Sequence, residues 1–323
     1  MKSLNWGLIG PGSIAEEFAD ALQEANGSIF GVWGRNLEKA NAFAARSNVQ
    51  NVYEKLDDML QDERVDVVYI STPHPLHYQF IKSALEHGKH VLCEKTITMN
   101  ARQLEELIEL AIAKGVVLAE AMTVFYMPIY QKLEEVIQQG TIGSVKTINV
   151  TFGSCKENDP QNRFFNPDLG GGGLLDIGTY ALSFARFFLS SQPEELHTTV
   201  KKHETGVDEQ SGIILKTEQQ ELAVISLAMR AKMPKRGIVA GDLGFITVDN
   251  FPRADRATIT YTATGEVETI EAGDSSKALH YEVERMTELI AQPQTNWAMA
   301  LSVDVMHLMD KTRENWNLSY ELE

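Results

Sequence analysis

Cysteine, proline and positive charge are all scarce in this chain, and each scarcity removes a class of protein. Two cysteines, Cys93 and Cys155, in 323 residues are too few to staple a secreted scaffold, and they stand at no zinc-ligand spacing. A reduced, cytoplasmic setting is therefore expected. The segment from Met1 to Gly10 holds no apolar stretch followed by a small-residue cleavage site, and no window approaches the roughly 18 apolar residues of a membrane span. Neither export nor membrane insertion is expected. Lys and Arg number 29 against 45 Asp and Glu, a net charge of −16. Such a surface repels phosphate backbones, which argues against nucleic-acid binding while leaving room for a local basic pocket around a small anion. There is no internal repeat and no low-complexity tract. What remains, 43% hydrophobic and 23% charged, is the profile of a soluble globular enzyme long enough for two domains.

Over the first 120 or so residues, short apolar runs alternate with stretches of helical period, the pattern of βαβ units around a parallel sheet. Strands are predicted at Leu4–Ile9, Ser28–Trp33, near Val52, and at Val65–Ser71, His90–Glu94 and Val116–Ala121. Helices are predicted at Ile14–Glu24, Leu37–Arg46, Leu56–Gln61, Leu76–His87 and Ala101–Lys114. After residue 122 a helix at Pro128–Gln139 gives way to alternating segments at Val145–Phe152, Gly212–Thr217, Leu222–Met229, Gly244–Asp249, Ala257–Thr262 and Val267–Ile270, which suggest an antiparallel or mixed sheet. Two closing helices, Leu279–Ala291 and Ala298–Glu314, flank the breaker Gln292-Pro293-Gln294, with Asn296 as candidate N-cap. The expected class is α/β: a doubly wound Rossmann domain over 1–122, then an α+β domain over 123–323 with an open, mostly antiparallel sheet.

Gly10-Pro11-Gly12-Ser13-Ile14-Ala15 follows the first strand and opens a helix, which fits the G-x-G-x-x-G/A dinucleotide fingerprint in its required context. Gly10 permits the turn, Gly12 lets a pyrophosphate approach, and the amides from Ser13 and Ile14 onward supply donors at a positive dipole end. An NAD-specific site would place Asp or Glu at the end of the second strand to hold the ribose 2′-hydroxyl. Here the chain reads Val32-Trp33-Gly34-Arg35-Asn36. Gly34 carries no repelling carboxylate, Arg35 offers a planar fork to a 2′-phosphate, and Asn36 and Lys39 add donors. NADP is expected over NAD, with NAD still usable.

The chain resembles the glucose-fructose oxidoreductase, inositol dehydrogenase and MocA family of two-domain oxidoreductases over essentially its whole length. The resemblance rests on Gly10 to Ala15, on Ile70-Ser71-Thr72-Pro73-His74-Pro75-Leu76-His77, on Glu94-Lys95-Thr96, and on Gly171-Gly172-Gly173-Leu174-Leu175-Asp176-Ile177-Gly178-Thr179-Tyr180. The last segment is most similar to the branch holding dihydrodiol and NADP-dependent xylose dehydrogenases, where tyrosine stands in place of a histidine. The resemblance implies that Ser71, Thr72, Pro73, His74 and His77 lie near the nicotinamide ribose, and that Glu94, the acidic residue next to the lysine, belongs with them to the cofactor-binding set. It further implies that Lys95 stands beside nicotinamide and substrate, and that Asp176 and Tyr180 come from the second domain to meet it. Dimerisation or tetramerisation through the open sheet is implied as well.

Oxidising a hydroxyl carbon requires a group that takes the hydroxyl proton as hydride leaves. A tyrosine does this once its pKa falls from about 10, and a nearby ammonium favours the phenolate. Lys95 and Tyr180 are thus the candidate catalytic pair, with Asp176, four residues before Tyr180, on the same helix face to orient Lys95 or a substrate hydroxyl. Arg163, in Asn162-Arg163-Phe164-Phe165-Asn166-Pro167, is the candidate substrate contact. His74 and His77 form a bare H-x-x-H pair without a third ligand, so no metal is expected. Cys93 in its apolar strand reads as inert core. Three positions depart from the family pattern: Thr96 replaces proline, while Val124 and Met127 stand near where a basic residue and a histidine are common, which suggests a less polar substrate or a differently anchored sugar. The expected function is NADP-dependent hydride transfer on a sugar, polyol or cyclic diol. The alternatives on this scaffold are a dinucleotide-dependent glycoside hydrolase and a non-enzymatic cofactor-binding regulator.

Overall fold

Strands with apolar side chains on both faces must be covered on both sides, and the first part of the chain meets that demand by winding a helix after each strand. In the computed structural model, which describes residues 4–321, these elements run β1 (Asn5–Ile9), α1 (Ser13–Glu24), β2 (Ser28–Trp33), α2 (Leu37–Arg46), β3 (Asn51–Tyr53), α3 (Leu56–Gln61), β4 (Val67–Ile70), α4 (His77–Glu86), β5 (His90–Glu94), α5 (Ala101–Lys114) and β6 (Leu118–Ala121). The six strands pair in parallel in the order β3-β2-β1-β4-β5-β6. The strand order reverses between β1 and β4, which opens a crevice at their carboxyl ends where such sheets bind ligands. Every residue of β4 is fully buried. Behind it Tyr69 stacks on Phe18 of α1 at 3.7 Å, and Trp6 meets the same ring edge-on at 5.3 Å. Aromatic pairs of this kind contribute about 0.5–1.5 kcal/mol beyond area burial and fix α1 against the sheet.

The second part of the chain contains α6 (Thr123–Tyr126), α7 (Pro128–Gln138), β7 (Val145–Gly153), α8 (Thr179–Phe188), β8 (Glu195–Lys202), β9 (Asp208–Lys216), β10 (Leu222–Ala228), β11 (Met233–Gly241), β12 (Gly244–Asp249), β13 (Arg256–Tyr261) and β14 (Val267–Glu271). Its eight strands are ordered β14-β13-β12-β11-β7-β10-β9-β8, antiparallel except for the parallel pair β7–β10. One face of this sheet packs under α8, and the other carries exposed apolar side chains: Ile214 44%, Leu222 41%, Val224 40% and Phe245 38% exposed. The covered face centres on Phe184, whose ring lies so close to β11 that a Cβ on Gly237 would meet it at 2.2 Å. Only glycine fits there.

Two strands lie outside the sequence expectation. β8 is an edge strand of mostly polar residues with little apolar signal, and β11 carries Pro234 and Gly237 and a register shift between Met233 and Arg236. The chain divides into two compact units, the first holding residues up to Met122 with Leu279–Ala300, the second holding Thr123–Ala278 with the chain from Leu301. The sequence pattern assigns all of 123–323 to a second domain; in the structure α9 (Ala278–Ala291) from Leu279 onward and the start of α10 (Trp297–Trp316) group with the first unit. One reason is visible at Asn296, whose Nδ2 donates to the Leu118 carbonyl of edge strand β6 at 3.0 Å. Its Oδ1 has no partner among the described residues, so Asn296 ties down a sheet edge instead of capping α10. Among the described residues no helix is long and apolar enough to cross a membrane.

Candidate functional site

The turn after β1 brings its glycines to the crevice for distinct physical reasons. Gly10 sits at φ +94°, where a Cβ would meet Thr72 Cγ2 at 2.8 Å, so this position is closed to any side chain. Gly12 has an ordinary extended backbone, and a Cβ there would meet no protein atom within 4 Å. The space in front of it is therefore open to a ligand. Gly12 at the N-cap brings no side-chain hydrogen bond to the first turn of α1, and the acidic residue of that turn, Glu16, is paired with Arg46 of α2.

Gly10, Gly12, Gly34, Arg35, Asn36, Lys39, Ser71, Thr72 and Pro73, all singled out from sequence, line one cleft of about 280 Å³ at this crevice. Pro11, Trp33, Leu76 and Phe80 complete the lining and were not anticipated; Trp33 and Phe80 pack edge-on at 5.5 Å to give the cleft an apolar wall. Gly34 is held to glycine by Pro11, whose Cδ would lie 2.7 Å from a Cβ, so the turn itself rules out an acidic side chain there. Arg35 and Lys39 are exposed at the cleft, and Asn36 caps α2 by accepting the Lys39 amide at 2.9 Å. Asn36 Oδ1 is thus committed, leaving its NH₂ group as the donor. Ser71 Oγ donates to the Gly10 carbonyl at 2.9 Å and ties the two turns together, while Thr72 Oγ1 is buried without a partner among the described residues. A glycine cradle with open space before Gly12, the Arg35 and Lys39 side chains and the Thr72 hydroxyl meet in one cleft, and these suit a dinucleotide phosphate and ribose.

Ser13, Ile14, His74, His77 and Glu94 are not in that lining. His77 is fully buried, with Nδ1 2.8 Å from the Thr96 carbonyl and Nε2 2.8 Å from the Thr72 carbonyl. It pins the 71–77 loop to the segment after β5 from behind. Burial pushes its pKa below the ordinary histidine value, the carbonyls pull it back, and the Lys95 ammonium adds to the lowering. His74 is also buried, its ring 5.8 Å from that of His77. Glu94 Oε1 accepts the hydroxyl of buried Tyr69 at 2.6 Å. Lys95 follows β5 half buried, and its peptide bond to Thr96 is cis. The next amide, of Ile97, donates to Glu120 Oε1 at 3.1 Å. Glu120, 4% exposed on β6, is thus a support for the lysine segment. Its signal in the sequence is a lone carboxylate inside an apolar strand, which burial tolerates only with partners. Burial pushes the Cys93 thiol well up, with Glu94 and Glu120 adding to the shift, so this cysteine is unreactive.

In the second unit the glycine run leads into a π-helical turn, Leu174–Gly178, before α8 begins at Thr179. Asp176 lies in that turn and Tyr180 in α8, so the continuous α-helix expected for the pair is replaced by a wider turn of a kind enriched at functional sites. Both are half buried. Arg163 comes within 3.8 Å of Asp176, and Tyr180 lies 6.3 Å from the Phe152 ring. Beneath the glycines sits Asp208, which the sequence reading passed over. Its Oδ2 accepts the Leu174 amide at 2.7 Å, and a Cβ on Gly172, at φ +118°, would meet its Oδ1 at 2.4 Å. Oδ1 has no partner among the described residues. Burial pushes this carboxyl up to about 6, against the pull of the Leu174, Asp208 and Gly173 amides and of Arg313. Tyr320 closes the support by donating to the Gly171 carbonyl at 2.6 Å. Val124 and Met127 are fully buried, so their apolar character serves packing and carries no message about substrate polarity. Among the described residues no cluster of three metal-ligating side chains forms.

Comparison with known proteins adds three findings. Residues 4–122 match the profile of the GFO_IDH_MocA oxidoreductase family with an NAD-binding Rossmann fold, and residues 130–247 match the GFO/IDH/MocA C-terminal domain. The trans-1,2-dihydrobenzene-1,2-diol dehydrogenase of Xenopus tropicalis is 34% identical over 247 residues, 75% of this chain and 74% of that protein. The scyllo-inositol 2-dehydrogenase (NADP(+)) IolU of Bacillus subtilis is 28% identical over 98% of both chains. In fold, the chain is similar to KijD10, a 3-ketoreductase from Actinomadura kijaniata, with a TM-score of 0.86 over 97% of this chain and 98% of that one at 23% identity.

Proposed function

Because the chain belongs to the GFO/IDH/MocA oxidoreductase family, whose first domain is an NAD-binding Rossmann fold, we propose that it is an NADP-preferring dehydrogenase that moves hydride to or from a hydroxyl-bearing carbon of a sugar, polyol or cyclic diol. The observation that carries the cofactor choice is the end of β2. Pro11 excludes a carboxylate at Gly34, and Arg35, Asn36 and Lys39 stand at the same cleft. A charge-assisted hydrogen bond from Arg35 to a 2′-phosphate contributes about 1.5–3 kcal/mol, roughly ten- to hundredfold in affinity. Substrate class follows the relatives, of which one is named for a cyclic diol and another for an inositol and NADP.

When bound, the dinucleotide supplies hydride acceptance at its nicotinamide, or donation in the reverse direction. The chain's own residues handle the proton and the developing charge. Tyr180 takes the hydroxyl proton as phenolate, and Lys95 donates a hydrogen bond to the oxygen as its charge grows. Asp176, in contact with Arg163, orients a substrate hydroxyl. His77 and Glu120 hold the Lys95–Ile97 backbone in place. The apolar outer face of the second sheet joins two copies of the chain into a dimer.

The test is a panel of aldoses, polyols and diols followed at the NADPH absorbance band, with NADPH and NADH affinities measured in parallel. Lys95→Met and Tyr180→Phe should each lower kcat by at least about a hundredfold while leaving NADPH binding intact. Arg35→Ala should weaken NADPH about ten- to hundredfold and NADH little. Near-full activity of Lys95→Met, or equal losses for both cofactors in Arg35→Ala, would remove the corresponding assignment.

A further inference from the structure

The second unit carries a concentration of positive charge for which a neutral diol or polyol has no use. Lys156 and Arg163 come from the loop after β7, Lys232 and Lys235 from the approach to β11 and its start, and Arg253 from the turn after β12. They gather on a chain whose net charge is −16. Lys156 Nζ lies 3.9 Å from the centre of the Phe164 ring, and the Arg163 guanidinium lies 4.3 Å from the same ring. Arg163 also reaches toward Asp176 at 3.8 Å. Lys235 Nζ stands 5.0 Å from the Phe152 ring, which is itself 6.3 Å from Tyr180. Two of these cations therefore stand over Phe164 and one over Phe152, with Arg163 reaching Asp176 and Phe152 lying near Tyr180.

The loop that carries two of them is anchored. The Lys156 amide donates to the Met229 carbonyl at 2.8 Å, and the Lys156 carbonyl accepts from Arg230 Nη1 at 2.8 Å. Lys235 is half buried among like charges. Burial pushes its pKa below the ordinary lysine value, and Lys232, Lys156 and Arg253 push the same way against the pull of Asp176. A surface lysine held only by solvation would extend away from such neighbours; holding it here disfavours its charge unless an anion arrives.

We propose that Lys235, Lys156 and Arg163 bind an anionic oxygen group, a carboxylate or a phosphate monoester, carried on the hydroxylated substrate that Tyr180 acts on. The substrate is then an acidic sugar or a sugar phosphate, held at its anionic end by two ammonium groups and a guanidinium fork. This rests on the oxidoreductase reading above, and it names the substrate chemistry that the relatives' names leave open.

The test compares D-glucose, D-glucuronate and glucose 6-phosphate as substrates for the NADP-loaded protein. Calorimetric binding of the same three to the NADPH-loaded protein reads the same preference without turnover. At least one acid should bind about tenfold or more tightly than glucose, and the advantage should shrink as salt is raised to about 0.3 M. Lys235→Met and Lys156→Met should each erode that advantage, and Lys235→Arg should retain it. A gain for glucuronate alone assigns a carboxylate, and a gain for glucose 6-phosphate alone assigns a phosphate. Equal affinity for all three, or an advantage that both methionine substitutions leave untouched, overturns the proposal. Selective binding of an acid with no hydride transfer to any hydroxyl leaves the anion site standing and overturns the oxidoreductase reading instead.

Discussion

Asp208 shows how one residue can matter without touching a ligand. Its carboxylate faces the glycine turn that launches the Asp176 and Tyr180 segment, and it is fully buried with one oxygen satisfied by the Leu174 amide. Its folded pKa of about 6 lies above the 3.8 of an exposed aspartate, so between these values the native state holds a proton that the unfolded chain has released. The stability this group supports is complete below pH 4 and is lost as pH rises through 6. The loss is on the order of 3 kcal/mol. Asp208→Asn has no such titration, so urea unfolding at pH 4 and pH 7 should show the variant gaining by that order relative to wild type across the window. A constant difference between the two proteins would show that Asp208 titrates normally.

The strand–turn–helix from β1 to α1 carries its function in an element, because two glycines two residues apart do different work. Gly10 is needed by the protein, and Gly12 is needed only by what fills the space in front of it. Gly12→Ala should therefore fold with stability within about 0.5 kcal/mol of wild type. It should also lose about tenfold or more in dinucleotide affinity, measured by quenching of protein fluorescence. An unchanged affinity would place the pyrophosphate elsewhere. At this scale much was legible in advance: α2, α3 and α5 span the residues their apolar period suggested, and β2 and β5 do likewise. β11 was not, because Pro234 and Gly237 read as loop breakers. The sheet tolerates them through a register shift and the close approach of Phe184, neither of which is local information.

For the whole molecule, the outer face of the second sheet is the surface proposed to pair two copies of the chain. Ile214 and Val224 sit opposite each other on β9 and β10, both exposed, with Leu222 two residues along on the same face. Exposed apolar groups clustered on a flat sheet mark an association surface, and burying an unpaired charge there is costly. With that face pairing two copies as proposed, light scattering should give a dimer for wild type and a monomer for Val224→Arg, with the melting of the first unit left in place; a wild type that runs as monomer at micromolar concentration would refute the assembly. The sequence alone determined the class of fold, the dinucleotide turn and the acid-free end of β2, because each depends on residues within one βαβ unit and on backbone sterics that act over a few positions. Only tertiary structure decided that His77 and Glu120 brace the lysine segment, that Asp208 lies under the glycine turn, that Leu279–Ala300 groups with the first unit, and that cations from two separate segments stand over Phe152 and Phe164. Those arrangements bring together residues tens to hundreds of positions apart, and no pattern in the linear chain records which of its distant charges will become neighbours.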